Sequence, residues 1–224
     1  MVHAERGSAA PTTWRLRRPE LRIRCVCHVC NNGWMSRLEG DTIPYLQPLL
    51  DGKAHSISPN AQASIALWAV KTAMIVEMLE GDDRCDYKKT ERRQLSLLSA
   101  IPERTRVWVA PTTDPSTLLA TKTRHEAGGP APISAVVTTI SLAHVALQVF
   151  SLRDAPPIPS DTQVTVSIRR GPWEDLAVQV WPPEETSLGW PTKLGLNGEV
   201  GLDEFAGRFS VAAQDVADVQ IQAV

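Results

Sequence analysis

The chain has 224 residues, 43% of them hydrophobic, and a formal net charge of −2. A chain of this length can bury one substantial core, or one core with a small appended module. No uninterrupted apolar run reaches about 18 residues, so the sequence predicts no transmembrane helix. The first 20 residues are polar and lack the apolar stretch of a secretory signal. We therefore expect a cytoplasmic protein with no membrane partner.

The charges are unevenly distributed along the chain. Residues 1–40 carry seven arginines against three glutamates, a net charge of +4 that leaves −6 on the remainder. A basic N-terminal segment on an acidic body is typical of a protein that meets a polyanion. The arginines expected to contact DNA or RNA are Arg15, Arg17, Arg18, Arg22 and Arg24. The alternative is a solvated, partly disordered tail.

The predicted organisation has three parts: an irregular basic segment (1–20), a cysteine-containing module (21–50) and an α+β body (51–224). Residues 21–25 alternate between apolar and arginine side chains, the period-two pattern of a half-buried strand. After Cys30, the Asn-Asn-Gly sequence predicts a tight turn. A short helix is expected from Trp34 to Glu39, with a second helical stretch after Pro44.

The body begins with the clearest helix of the chain, residues 59–80. Ser58 is placed to cap it, Pro59 suits its first turn, and Gly81 ends it. Apolar residues cover so much of its circumference that we predict a central buried helix, with Trp68 in the core. A second helix fits residues 90–99, with Thr90 as its cap.

Beyond the second helix the pattern becomes that of strands. The predicted strands span 106–110, 133–140, 143–152, 164–168 and 176–181, with Ser141-Leu142 as a hairpin turn. A short helix is expected near 202–209. The fold class is therefore α+β: a short strand with a knuckle turn and helix, a long buried helix, and a mainly antiparallel β-sheet in a β-rich region over 105–181.

Three of the four cysteines lie within six residues, and the chain shows no export signal, which favours metal binding or free thiols over disulfides. Cys27 and Cys30 form a C-x-x-C turn that can share one zinc ion, but structural zinc takes four ligands. The motif is thus half of a zinc site. Weaker candidates for the remaining ligands are Cys25, His28 and His3.

Residues 27–39, CHVCNNGWMSRLE, resemble the last third of the HNH-endonuclease-like proteins of bacteria and their phages. In the branch that they most resemble, a C-x-x-C-N-x-G-W-M-S-x-L-E segment is followed by a WAVKTAM helix and a β-rich C-terminal region. Residues 68–74, WAVKTAM, match that helix. The resemblance implies a treble-clef zinc knuckle, association with nucleic acid and, if the protein is an enzyme, an HNH-type endonuclease.

The resemblance covers the closing half of the HNH module and departs from its catalytic pattern. Family members take two further zinc ligands from an upstream C-x-x-C, and an upstream His, a later Asn and a last metal-binding residue complete the catalytic centre. Arg22 stands at the expected Asn, and Asn31 at the last metal-binding position. Phosphodiester hydrolysis with one metal needs a base and a cation. The sequence therefore predicts a nucleic-acid-associated protein with an incomplete catalytic centre, not an independent nuclease.

Two alternatives stay open. The chain could be an α+β scaffold that binds a protein or a small ligand and keeps the knuckle as a relic. It could also be an active HNH nuclease whose N-terminus is truncated in this chain.

A second basic group lies at the start of the helix predicted for 90–99. Its members, spaced to share one side of that helix or its lead-in, are Lys88, Lys89, Arg92 and Arg93. Such a surface can neutralise phosphates without reading sequence. The alternative is an ordinary solvated helix face.

Overall fold

The computed structural model describes residues 12–16, 26–78, 85–116, 119–127, 133–154, 162–169, 171, 175–192 and 194–215. Its helical elements are α1 (His28–Cys30), a π-helical turn (Asn31–Met35), α2 (Ser36–Leu50), α3 (Pro59–Met78), α4 (Lys89–Leu98) and α5 (Gly198–Ala206). Its strands are β1 (Thr12–Leu16), β2 (His55–Ile57), β3 (Thr105–Pro111), β4 (Leu119–Ala127), β5 (Ile133–Leu142), β6 (Val145–Asp154), β7 (Thr162–Ile168), β8 (Val178–Trp181), β9 (Leu188–Trp190) and β10 (Phe209–Asp215).

A six-stranded sheet with the order β1-β4-β5-β6-β3-β8 forms the centre of the fold, and every neighbouring pair is antiparallel. Two further antiparallel pairs, β10 with β7 and β2 with β9, lie outside it. The predicted α+β class, with helices and a mainly antiparallel sheet, is confirmed. Within the described residues, no helix has both the length and the apolar character needed to cross a membrane.

The predicted long helix is α3, and it is buried as expected. The Ser58 hydroxyl accepts a hydrogen bond from the Ala61 amide at 3.3 Å, so the predicted cap is present. Fully buried residues such as Ile65 and Val70 pack against one face of the sheet, where β3 and β6 present valines and a leucine. Trp68 is only partly buried, at the margin of this core. Predicted residues 79 and 80 lie outside the described part of the chain.

The opposite face of the sheet carries a second apolar cluster. Trp108 of β3 and Phe150 of β6 lie there, together with Phe205 of α5 and Phe209 of β10. The rings of Trp108 and Phe209 are 5.4 Å apart, and those of Phe150 and Phe209 are 4.9 Å apart. The sheet is thus the middle layer of the molecule.

Five strands, β1, β2, β4, β9 and β10, were absent from the sequence prediction, and two of them, β1 and β4, belong to the central sheet. β4 reads LATKTRHEA, with threonines and charges in place of apolar residues. β1 lies within the segment expected to be irregular, and it pairs with β4 from Thr12 opposite Arg124 to Leu16 opposite Ala120. The irregular assignment is wrong over these five residues, because β4 supplies a neighbouring strand for hydrogen bonding that local sequence does not reveal. The strand expected at 21–25 lies outside the described residues.

The helical predictions need two corrections. Pro44 and Pro48 lie inside one helix, α2, where two short helices were expected. α4 begins at Lys89 with Lys88 as its cap residue, so Thr90 is not the cap. The carboxylate of Glu91 accepts a hydrogen bond from the Lys88 amide at 2.7 Å and satisfies the helix start instead.

Two other predictions shift along the chain. The hairpin of β5 and β6 is present, but its turn is Ala143-His144, with Ala143 at φ 47°, and not Ser141-Leu142. The last helix begins earlier than expected, at Gly198, and ends at Ala206.

Candidate functional site

The cysteines of the C-x-x-C turn, Cys27 and Cys30, are adjacent in space at the start of the helical segment that leads into α2. Cys27 precedes α1, and its sulfur accepts a hydrogen bond from the Cys30 amide at 3.3 Å. A hydrogen bond from the Cys30 side chain, together with that amide, lowers the pKa of the Cys27 thiol. The same contact raises the pKa of Cys30, which is half-buried, whereas Cys27 is exposed. The backbone kinks at Gly33, where the sequence predicted a turn.

Two adjacent thiols are suitable donors for zinc, since a C-x-x-C turn supplies half of a tetrahedral ligand set. His28, a weaker candidate, is exposed and forms a 2.7 Å hydrogen bond through Nε2 with the side chain of Asn32. Cys25 and His3 lie outside the described residues. Within the described ranges, no three His, Cys, Asp or Glu side chains gather where they could hold a metal ion.

An ion pair joins α2, which follows the C-x-x-C turn, to the long helix α3. Lys71 of α3 is buried, and its ammonium lies 2.7 Å from the carboxylate of Glu39 on α2. The Lys71 nitrogen also lies 5.3 Å from the centre of the Trp68 ring. The ion pair therefore places residues 27–39 and residues 68–74 in one packed unit.

A groove of about 270 Å³ lies behind the knuckle, between α2, α3 and α4. Its walls include Trp34 from the π-helical turn and Arg37 and Asp41 from α2. The Trp34 indole N–H is a hydrogen-bond donor to the Cys30 thiol, so the groove and the knuckle share a wall. Serines from α3 and from the end of α4 complete the polar part of the lining.

The predicted basic group at α4 is brought to the surface only in part. Lys88, Lys89 and Arg93 are exposed, whereas Arg92 is half-buried. The prediction that all four share one side of the helix or its lead-in stays a prediction, with Arg92 the least accessible of them. Among the N-terminal arginines, Arg15 lies in β1 opposite Thr121. The positions of Arg17, Arg18, Arg22 and Arg24 fall outside the described residues.

A cluster of buried charges, which sequence reasoning missed, connects the end of α3 to β4. Glu77 is fully buried and accepts hydrogen bonds from the amides of Asp86 and Tyr87. Lys122 of β4 places its ammonium 3.0 Å from Asp86 and 3.5 Å from Glu77. Arg124 forms a second ion pair with Asp86. Burial raises the pKa of Glu77 to about 7, against the opposing effect of the two amides and Lys122.

A chain of hydroxyl groups extends from this cluster. The Tyr87 hydroxyl is 3.0 Å from Ser151, whose hydroxyl is 2.9 Å from Thr105. The guanidinium of Arg153 lies 3.9 Å from the Tyr87 ring centre and pairs with Glu91 at 2.5 Å. Because the charges and hydroxyls are largely enclosed, we assign them to holding Asp86 and Tyr87, which precede α4, on the sheet and not to binding a substrate.

A second buried cation lies on the other face of the sheet. Arg208 is 3% exposed, and its guanidinium lies within 5.0 Å of the ring centres of Phe205, Trp108 and Phe209. Its Nε donates to the side chain of Gln148 at 2.7 Å. Burial lowers the pKa of Arg208 to about 10, which leaves it charged at neutral pH. The aromatic faces stabilise this charge within the core.

Comparison with known proteins adds little to this geometry. No protein-family model matches the chain, and no curated protein matches it. Among solved structures, the chain has 13% identity and a TM-score of 0.17 to full-length peroxisomal multifunctional enzyme type 2 from Drosophila melanogaster. The match covers 70% of this chain and 36% of the other. Similarity at that level supports no argument about fold or function.

Helical spacing in the sequence could have revealed the groove. Trp34, Arg37 and Asp41 are three and four residues apart, the spacing of side chains on one face of a helix. The predicted break after Glu39 concealed that common face. Lys71 and Glu77 were visible as charges within an apolar helix, a pattern that indicates buried ion pairs.

Proposed function

We propose that the protein associates with nucleic acid through an HNH-endonuclease-like knuckle module and is not an independent nuclease. The observation that carries the proposal is the mutually hydrogen-bonded pair of Cys27, which is exposed, and Cys30, which is half-buried. It lies in a unit that also contains the matching WAVKTAM helix, joined to it by Glu39 and Lys71.

The exposed cations at the start of α4 supply a surface that can contact phosphates. Each phosphate contact made by Lys88, Lys89 or Arg93 releases counterions, so binding is expected to weaken steeply with salt. The contacts fix position without reading base sequence. The basic residues ahead of the knuckle extend the same chemistry.

The test is binding of the full chain to a duplex DNA across a range of salt concentrations. The double variant Lys88→Ala/Lys89→Ala should flatten the logarithmic salt dependence by about 0.9 for each lost contact. Lys53→Ala/Arg106→Ala removes the same charge from other exposed positions and should leave the slope unchanged. No binding at low salt, or equal slopes for both variants, would contradict the proposal.

A plasmid-nicking assay with added divalent metal tests the second part of the proposal, and no cleavage is expected. Cleavage that disappears on Cys27→Ser would instead support an active HNH nuclease. An interaction scaffold is the other candidate, and it is favoured by Leu97 and Leu98 of α4, which are 67% and 72% exposed. Concentration-dependent self-association or capture of a protein, without DNA binding, would favour the scaffold.

A further inference from the structure

The groove between α2, α3 and α4 has the features of a small-ligand site. Its volume is about 270 Å³, which leaves room for one purine base. It is small for a drug-sized ligand, it is lined by residues of three helices, and it is open to solvent on one side. A protein segment would need a longer surface.

Two charged side chains of the groove have no partner within the described residues. Arg37 and Asp41 lie one helical turn apart on α2, both line the groove, and neither forms an ion pair or side-chain hydrogen bond there. An acceptor-only carboxylate and a donor-only guanidinium beside one cavity suit a ligand that carries both hydrogen-bond donors and an anionic group.

The Trp34 ring in the groove wall favours a ligand with a flat aromatic group. Trp34 lines the groove, and its ring is partly buried, with the indole N–H directed to Cys30. Bases of single-stranded nucleic acids stack on such rings in proteins. If the base stacks on Trp34 and its phosphate contacts Arg37, the edge of the base faces Asp41.

The carboxylate selects among the bases. An ionised Asp41 can accept two parallel hydrogen bonds only from a base edge that presents two adjacent donors. Guanine has this arrangement in its N1–H and 2-amino group, whereas adenine and thymine alternate donors with acceptors and cytosine presents one donor beside two acceptors. We propose that the groove binds a single guanine nucleotide, presented by a single-stranded segment or free in solution. Binding of a guanine within a single-stranded nucleic acid rests on the proposed function, whereas binding of the free nucleotide does not.

Binding of labelled dT12 strands that carry one central dG, dI or dA to the full chain tests recognition of a guanine within a single-stranded nucleic acid. We expect the dG strand to bind about tenfold or more tightly than the dA strand, with dI between them because it lacks the 2-amino group. Asp41→Asn should abolish this order, whereas Asp175→Asn, an exposed carboxylate outside the groove, should preserve it. Both positions are exposed, and matching thermal melts will show that the variants are folded.

Titration with GMP, guanosine and AMP, followed by NMR, tests the groove without a strand. GMP should bind better than AMP, Asp41→Asn should remove that difference, and Arg37→Ala should weaken GMP to the level of guanosine. GMP binding in a chain that binds no strand would support the groove and overturn nucleic-acid association. Salt-dependent strand binding without base preference, together with no GMP binding, would overturn the groove and leave the proposed function standing.

Discussion

Replacing Glu77 with glutamine should remove a large pH dependence from the stability of this protein. Burial raises the pKa of Glu77 from 4.5 to about 7, so between these values the folded protein keeps a proton that the unfolded chain releases. Stability from this group is therefore complete below pH 4.5 and is lost as pH rises to about 7. At about 1.4 kcal/mol per pKa unit, the loss is about 3 kcal/mol. Urea unfolding at several pH values measures it as the difference between wild type and Glu77→Gln.

The reasoning depends on burial outweighing the groups that favour the ionised carboxylate. Those groups are Lys122, 3.5 Å from Glu77, and the amides of Asp86 and Tyr87. If they prevailed, the advantage of wild type over the variant would grow with pH, and a difference that rises or stays flat would refute the prediction. Glu103→Gln, the same substitution at an exposed position, is the matched control for the effect of burial.

Three further predictions concern the core, a buried amide and the knuckle. Ile65→Ala should cost about 2–5 kcal/mol in denaturant unfolding because the site is fully buried; a cost below about 1 kcal/mol would contradict the central role of α3. Gln62→Leu should cost about 1–3 kcal/mol, since Gln62 bonds the carbonyls of Ile57 and Thr186 and the amide of Glu184; an unchanged unfolding free energy would show that water replaces these bonds. A chelator should leave the melting temperature nearly unchanged because a C-x-x-C turn is half a zinc site; stoichiometric zinc, lost together with folding on Cys30→Ser, would contradict this.

The elements that could be predicted are those whose local pattern matches their final environment. α3 has an apolar surface and a Ser58-Pro59 start, so its position followed from the sequence. β4 could not be found in this way, because Lys122 and Arg124 occupy positions that only an ion-pair cluster makes suitable for a sheet. α2 continues through Pro44, where local rules place a boundary, because its packing on α3 stabilises the helix.

One part of the candidate site could be predicted from the sequence, and another part could not. Spacing alone placed Cys27 and Cys30 together, since a C-x-x-C turn brings its sulfurs close whatever the rest of the chain does. The groove requires α2, α3 and α4 to meet, and that meeting depends on long-range packing. Arg92 shows the same limit, because helical spacing gives a shared side but not the direction in which that side faces.

Because β1 pairs with β4, β1 can join the central sheet only after β4 has been synthesised. Roughly a hundred residues separate these strands, so β1 must wait for its partner while β5 and β6 can close locally as a hairpin. Until β1 is added, β4 is an outer strand of a growing sheet. Lys122 and Arg124 then lie on that strand, and charged side chains on an open edge discourage pairing with other chains. We therefore expect the charges that pair with Asp86 in the folded protein to disfavour aggregation of the chain before β1 has paired.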